Sequence, residues 1–146
     1  MIRAGALLLI CAGLVTYHNS FHGPFILDDV RAIPDNPEIS RVWPIWHAMM
    51  APPNSGLTTR PIVMLSLAAN YAMDGLNVRG YHVVNLAIHI LAGLVLYGIV
   101  RRMLESDPLR IRYGAAAPWL ALAAAGIWIV HPLQTESVTY IVQRAE

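Results

Sequence analysis

Cysteine is nearly absent from this chain: Cys11 is the single thiol, so no intrachain disulfide can form and the redox compartment stays unread. Lysine is missing altogether, and all 10 basic residues are arginine, a bias that selects no function class. Charge is scarce, at 13% of residues with a formal net +1, and no basic run of the kind that tracks phosphates occurs. Nucleic acid is therefore not an expected partner. No Cys/His cluster shows metal-ligand spacing, and no internal repeat is visible. Low complexity is confined to the alanine-rich stretch after Tyr113.

What the chain has in abundance is apolar surface. Hydrophobic residues make up 56% of it, mean hydropathy is +0.49, and Leu, Ala, Ile and Val recur in blocks rather than at the spacing of a soluble amphipathic fold. The expected class is an all-α integral membrane protein with three transmembrane helices, at about 4–17, 81–100 and 113–131. A signal peptide is the alternative for the first, but the exit Val15-Thr16-Tyr17-His18-Asn19 carries no small-x-small cleavage site, and Ile10 before Cys11 fits a lipoprotein site poorly. The second stretch has the length to cross roughly 30 Å of hydrocarbon at about 1.5 Å per residue. The third carries Trp119 and Trp128 near its ends, where amphipathic rings favour the headgroup zone, and is interrupted by Pro118. Arg3, Arg101, Arg102, Arg110 and Arg112 fill the short flanks, which assigns 101–112 to the cytoplasmic side. The long loop 18–80 and the tail 132–146 then lie outside.

That outer loop holds apolar pieces too short to span. Trp43, Trp46 and Met50 fall at helical spacing, and Pro61 to Met73 begins with proline in a first-turn position and stops at Asp74-Gly75. Both read as helices lying in the membrane interface, joined by the turn-rich connector 51–56. Inside the second span, His82, Asn85 and His89 share one helical face with Gly93 following. Polar groups are costly against lipid, so this stripe should face protein or a wet cavity. Either it joins helices by hydrogen bonds, or its outermost member, His82, positions a substrate hydroxyl or phosphate. The tail is expected to form a helix capped near Thr135, with Val138, Ile141, Val142 and Ala145 on one face and Glu136, Tyr140 and Gln143 on another. Arg60 and Arg144 are the outer arginines best placed for an anionic group, since guanidinium matches phosphate geometry; the competing role is pairing with Asp28, Asp29 or Glu146.

Several motifs occur together: Phe-x-Leu-Asp-Asp at 25–29, Arg60-Pro61 with Leu-Ser-Leu-x-x-Asn-Tyr at 65–71, Gly-Tyr-His-x-x-Asn-Leu-x-x-His at 80–89, and His-Pro-x-x-Thr-Glu-Ser-Val at 131–138 ahead of Arg144-Ala145-Glu146. In that order they resemble the N-terminal membrane region of the transmembrane and tetratricopeptide-repeat O-mannosyltransferases, and of their bacterial relatives in particular. The resemblance implies a bundle of the glycosyltransferase-C class in a bacterial inner membrane, which transfers a sugar from a polyprenyl-phosphate donor to a protein hydroxyl on the outer face. It points to Asp28 and Asp29 as catalytic, because a carboxylate can take the acceptor proton as the anomeric carbon gains oxocarbenium character. Arg60, His82, Asn85, Glu136, Arg144 and Glu146 are the substrate-side candidates. One acidic dipeptide supplies too few oxygens to define a divalent-cation site, so metal dependence stays open. Members of that family have further spans and helical repeats, so this chain is expected to be the N-terminal piece of a longer protein and inactive alone. A non-catalytic anchor for a repeat domain and a transporter-like bundle are the competing readings.

Overall fold

The computed structural model describes residues 2–52 and 57–145; Pro53 to Gly56 of the expected connector and Glu146 lie outside the described residues. Every regular element among the described residues is helical: α1 (Ile2–Tyr17), α2 (Asp28–Ala32), α3 (Ile45–Ala48), α4 (Pro61–Asp74), α5 (Val78–Leu104), α6 (Leu109–Tyr113), α7 (Ala117–Ile129) and α8 (Thr135–Thr139), with short 3₁₀ turns between them. The chain divides into two units, residues 1–18 with 86–135 and residues 19–85 with 136–146.

In the first unit α1 packs on α7 through small residues. Gly5, Leu9 and Gly13 on α1, and Ala117, Ala121 and Ala125 on α7, are buried at four-residue repeats, and the small residues among them let the backbones approach. Leu9, Tyr97 and Ile129 fill the rest of this core. His89 is buried, with its Nε2 2.9 Å from the Ile129 carbonyl and its ring stacked on Trp128 at 4.8 Å. The Tyr17 hydroxyl donates to the same carbonyl at 3.0 Å, so two polar side chains satisfy the end of α7.

Among the described residues, two helices are long and apolar enough to cross a membrane: α1 with its 3₁₀ extension, Ile2–His22, and α5. The third apolar helix is shorter than the expected 113–131. Pro118 sits in its first turn and fixes the start at Ala117, and the 13 residues of α7 rise only about 20 Å.

The second unit is organised around α4, which buries polar side chains beside apolar ones. Asn70 is buried and Ser66 half-buried, whereas Ile62 and Met73 are exposed. Met64, Leu67 and Ala68 pack inward against Ile33, Ile39, Ala48, Leu57 and Tyr81. Gly75 ends α4 at φ +59°, a conformation that residues with a Cβ rarely adopt. The expected helix over Trp43–Met50 shrinks to α3, which starts only after Pro44; Trp43, Trp46 and Met50 remain exposed.

The tail departs further from a single helix. α8 ends at Thr139 and a 3₁₀ turn follows over Ile141–Ala145. Side chains from elsewhere capture the backbone groups that a continuing helix would use. The Val142 N–H, due to bond the Val138 carbonyl, donates instead to Asp29 Oδ1 at 2.9 Å. Asn85 Nδ2 donates to the carbonyls of Ile141, at 3.3 Å, and Tyr140, at 3.5 Å, and His82 Nδ1 lies 3.4 Å from that of Val138. Val138, Ile141 and Val142 are nevertheless all buried, on the face their spacing indicates.

Candidate functional site

The second unit gathers the acidic pair, the outer end of the α5 stripe and Arg144. The two carboxylates have different surroundings. Asp29 is fully buried. Its Oδ1 accepts from Val142 N and its Oδ2 from Ile26 N at 3.3 Å. Burial pushes its pKa up, against the lowering effect of the Val142, Ile26 and Ile141 N–H groups and the nearby His82. Asp29 thus pins the 26–29 turn to the tail.

Asp28 is half-buried, and no arginine or histidine among the described residues forms an ion pair with it. Its backbone N–H donates to the Tyr140 hydroxyl at 3.2 Å. The Asp28 carboxylate lies near the same hydroxyl, whose pKa is raised by burial first and by the Asp28 and Asp29 charges after that. The preceding Leu27 is held at φ +47° with its side chain exposed. This is strained backbone for a residue with a Cβ, costing on the order of 1–3 kcal/mol. Bonds on both sides of it, from Ile26 N and Asp28 N, hold the turn in that shape.

Arg144 reaches into the centre of the unit. Its Nε donates to Asn85 Oδ1 at 2.8 Å, Nη1 to Asn70 Oδ1 at 3.0 Å and Ser66 Oγ at 3.1 Å, and Nη2 to the Tyr81 carbonyl at 3.3 Å. Four contacts thus engage a side chain that offers five N–H donors. No carboxylate among the described residues pairs with it directly, and burial lowers its pKa to about 10, so it stays cationic at neutral pH. The competing pairing with Asp28 or Asp29 does not form; neutral amide, hydroxyl and carbonyl oxygens take its place.

His82 is buried between two carbonyls, its Nε2 3.2 Å from Gly23 O and its Nδ1 3.4 Å from Val138 O. A Cβ on Gly23 would lie 3.2 Å from that Nε2, so glycine permits the close approach. Asn85 is buried with all its polar atoms engaged: Nδ2 on the tail carbonyls and Oδ1 on Arg144. Arg60 lies just before α4; its carbonyl accepts from Val63 N at 3.1 Å, and its guanidinium bonds no other described residue. Glu136 is exposed in the first turn of α8, and Glu146 lies outside the described residues. The structure therefore joins Asp29, His82, Asn85 and Arg144 in one network and leaves Arg60 and Glu136 outside it. Among the described residues no group of three His, Cys, Asp or Glu side chains suits a metal ion, and both Asp29 oxygens are already occupied by N–H donors.

Three members of the network carried no role in the sequence reading: Ser66, Asn70 and Tyr140. Ser66 and Asn70 stand four apart on an otherwise apolar helix, so they share one face, and that was the available signal. Tyr140 belongs with Glu136 and Gln143 on the polar face expected for the tail, but its contact with Asp28 depends on the break after Thr139.

Comparison with known proteins gives one consistent result. Tmtc3 of Drosophila melanogaster, named a protein O-mannosyl-transferase, is 31% identical over 157 residues covering 95% of this chain and 17% of its own length. TMTC1 of Mus musculus, with the same description, is 32% identical over 100% of this chain and 16% of its own. TMTC1 of Homo sapiens is 33% identical, with 97% and 16% covered. The chain thus spans about a sixth of the length of the curated relatives it matches. No protein-family description and no solved structure matches it. Matches of this extent to several curated proteins of one kind carry the assignment: the chain belongs to the TMTC family.

Proposed function

We propose that the full-length protein is a multi-pass membrane glycosyltransferase of the glycosyltransferase-C class that moves mannose from a polyprenyl-phosphate donor to a Ser or Thr hydroxyl of a protein acceptor on the outer face. The relatives' shared description as protein O-mannosyl-transferases supports the reaction class. Two helices of spanning length support the membrane setting, and the exposed Trp43 and Trp46 suit a headgroup zone. In this reading 113–131 makes a third crossing, 101–112 is cytoplasmic, and 18–80 and 132–146 lie outside.

The observation that carries the catalytic assignment is the contrast within the acidic pair: Asp28 is half-buried and forms no ion pair with a described residue, whereas Asp29 is sealed in backbone bonds. Asp28 is the base. It takes the acceptor hydroxyl proton while the oxygen bonds to the anomeric carbon, the bond from that carbon to the donor phosphate oxygen breaks, and the phosphate leaves with the bonding pair. Arg60, whose guanidinium bonds no other described residue, is the arginine for the leaving phosphate. Arg144, whose guanidinium already engages Asn85, Ser66, Asn70 and the Tyr81 carbonyl, acts as a support. The test is mannose transfer from a polyprenyl-phosphate donor to a Ser/Thr peptide in membranes containing the full-length protein. Asp28→Asn should reduce it about 10²-fold or more, and unchanged transfer by that variant refutes the assignment.

The burial of Asp29 and Asn85, with Asn85 bonded to Arg144, favours a second reading, a membrane scaffold whose motif residues serve folding alone. Full-length protein that folds but transfers no sugar from any polyprenyl-phosphate donor would support it.

A further inference from the structure

The residue most directly joined to Asp28 is Tyr140, from the far end of the chain. We propose that Tyr140 is a positioning residue for Asp28, its hydroxyl accepting the Asp28 N–H and donating to the Asp28 carboxylate, so that the carboxylate is held in one orientation toward the acceptor hydroxyl. This rests on the reading of Asp28 as the base.

A phenol carries one donor and acceptor lone pairs, so both contacts can coexist on one oxygen. They constrain Asp28 at its backbone and its side chain together, and one carboxylate oxygen remains for the acceptor. The constraint matters because Asp28 follows the strained Leu27 and sits in the five-residue α2, which by itself gives little rigidity. The break after Thr139 delivers the phenol. Tyr140 N still bonds the Glu136 carbonyl at 2.9 Å, closing α8. Beyond that point Asn85 holds the Tyr140 and Ile141 carbonyls and Asp29 holds Val142 N. Asp29 and Asn85 therefore act on Asp28 through Tyr140, and the buried motif residues gain a role in the reaction without touching substrate. A base misplaced by about 1 Å loses a large part of its rate advantage, roughly 10²-fold in severe cases.

The experiment uses the full-length protein in membranes and compares Tyr140→Phe, Asp28→Asn and the double variant. Tyr140→Phe keeps the ring and removes only the hydroxyl. The expected result is kcat lower by about 10-fold, donor KM within about twofold of normal, and a double variant no slower than Asp28→Asn alone, because the hydroxyl acts only through that carboxylate. A second measurement separates positioning from packing, and it holds even where the phenylalanine variant fails to fold. Fluorinated tyrosines at position 140 keep the hydroxyl but ionise at progressively lower pH. The ionised phenol cannot donate and faces the charges of Asp28 and Asp29, so the basic limb of the kcat profile should move to lower pH with each added fluorine. Normal kcat in Tyr140→Phe overturns the proposal, as does a profile indifferent to fluorination. Normal transfer by Asp28→Asn removes the base reading itself, and with it the proposal.

Discussion

Arg144→Lys keeps the charge and removes the geometry, which makes it the most informative perturbation of the second unit. The guanidinium spreads its donors over a planar fork and reaches Asn85, Ser66, Asn70 and the Tyr81 carbonyl together. An ammonium concentrates three donors on one atom. Placed where Nη1 lies, it can retain Ser66 and Asn70 but abandons Asn85 Oδ1 and Tyr81 O. Asn85 Oδ1 left without a partner costs about 1–3 kcal/mol, and the Tyr81 carbonyl, still bonded within α5, loses its second, charge-assisted bond, giving roughly 3 kcal/mol together. Asn85 also loses the bond that orients its amide toward the Tyr140 and Ile141 carbonyls, so the loss should appear in the tail. Hydrogen exchange is the direct assay: amides over residues 138–145 should exchange on the order of 10²-fold faster in Arg144→Lys, while those of α7 are unchanged. Arg144→Met, which abandons all four acceptors, should lose more. Wild-type exchange in both variants would show that the network does not hold the tail.

Stability should also report the buried carboxylate. The folded-state pKa of Asp29 is raised above 3.8, so the folded chain binds that proton more tightly than the unfolded chain and stability falls as pH rises through the range from 3.8 upward. Thermal melts against pH should show a shallower fall in Asp29→Asn than in wild type, and an identical slope would contradict the burial. Leu27→Gly relieves the φ +47° strain, so it should leave stability within about 1 kcal/mol of wild type despite removing a side chain, while lowering transfer by loosening Asp28. At Gly93 a Cβ would run into the Ile129 side chain, so Gly93→Ala should lower stability by about 1–3 kcal/mol in thermal melts. Topology is open to cysteine labelling in a Cys11→Ala background: an impermeant reagent applied to sealed, right-side-out cells should modify Thr58→Cys and spare Ser106→Cys, and the opposite pattern inverts the orientation.

The elements most legible in the sequence were those set by local chemistry. Pro61 and Gly75 bracket α4 as their backbone preferences require, and the length of the apolar run defines α5. The stripe of His82, Asn85 and His89 on one face followed from helical periodicity, and all three are buried. What the sequence did not disclose depends on distant partners. Nothing near Val142 announces that its N–H belongs to Asp29, 113 residues away, and the break after Thr139 follows from such captures. The difference in burial between Asp28 and Asp29 was equally hidden, because adjacent identical side chains differ only in which way the folded turn faces them. Arg144 resembled an anion-binding arginine by type, and only its four neutral partners identify it as a support.

The central claim is that the adjacent carboxylates divide their labour, Asp28 serving chemistry and Asp29 serving structure. Mannose transfer per folded full-length molecule, measured alongside folded yield for Asp28→Asn and Asp29→Asn, tests it most directly. The account predicts normal yield with transfer down about 10²-fold or more for Asp28→Asn, and reduced yield with a smaller loss per folded molecule for Asp29→Asn. Normal transfer by Asp28→Asn, or a larger loss per folded molecule in Asp29→Asn, would contradict it.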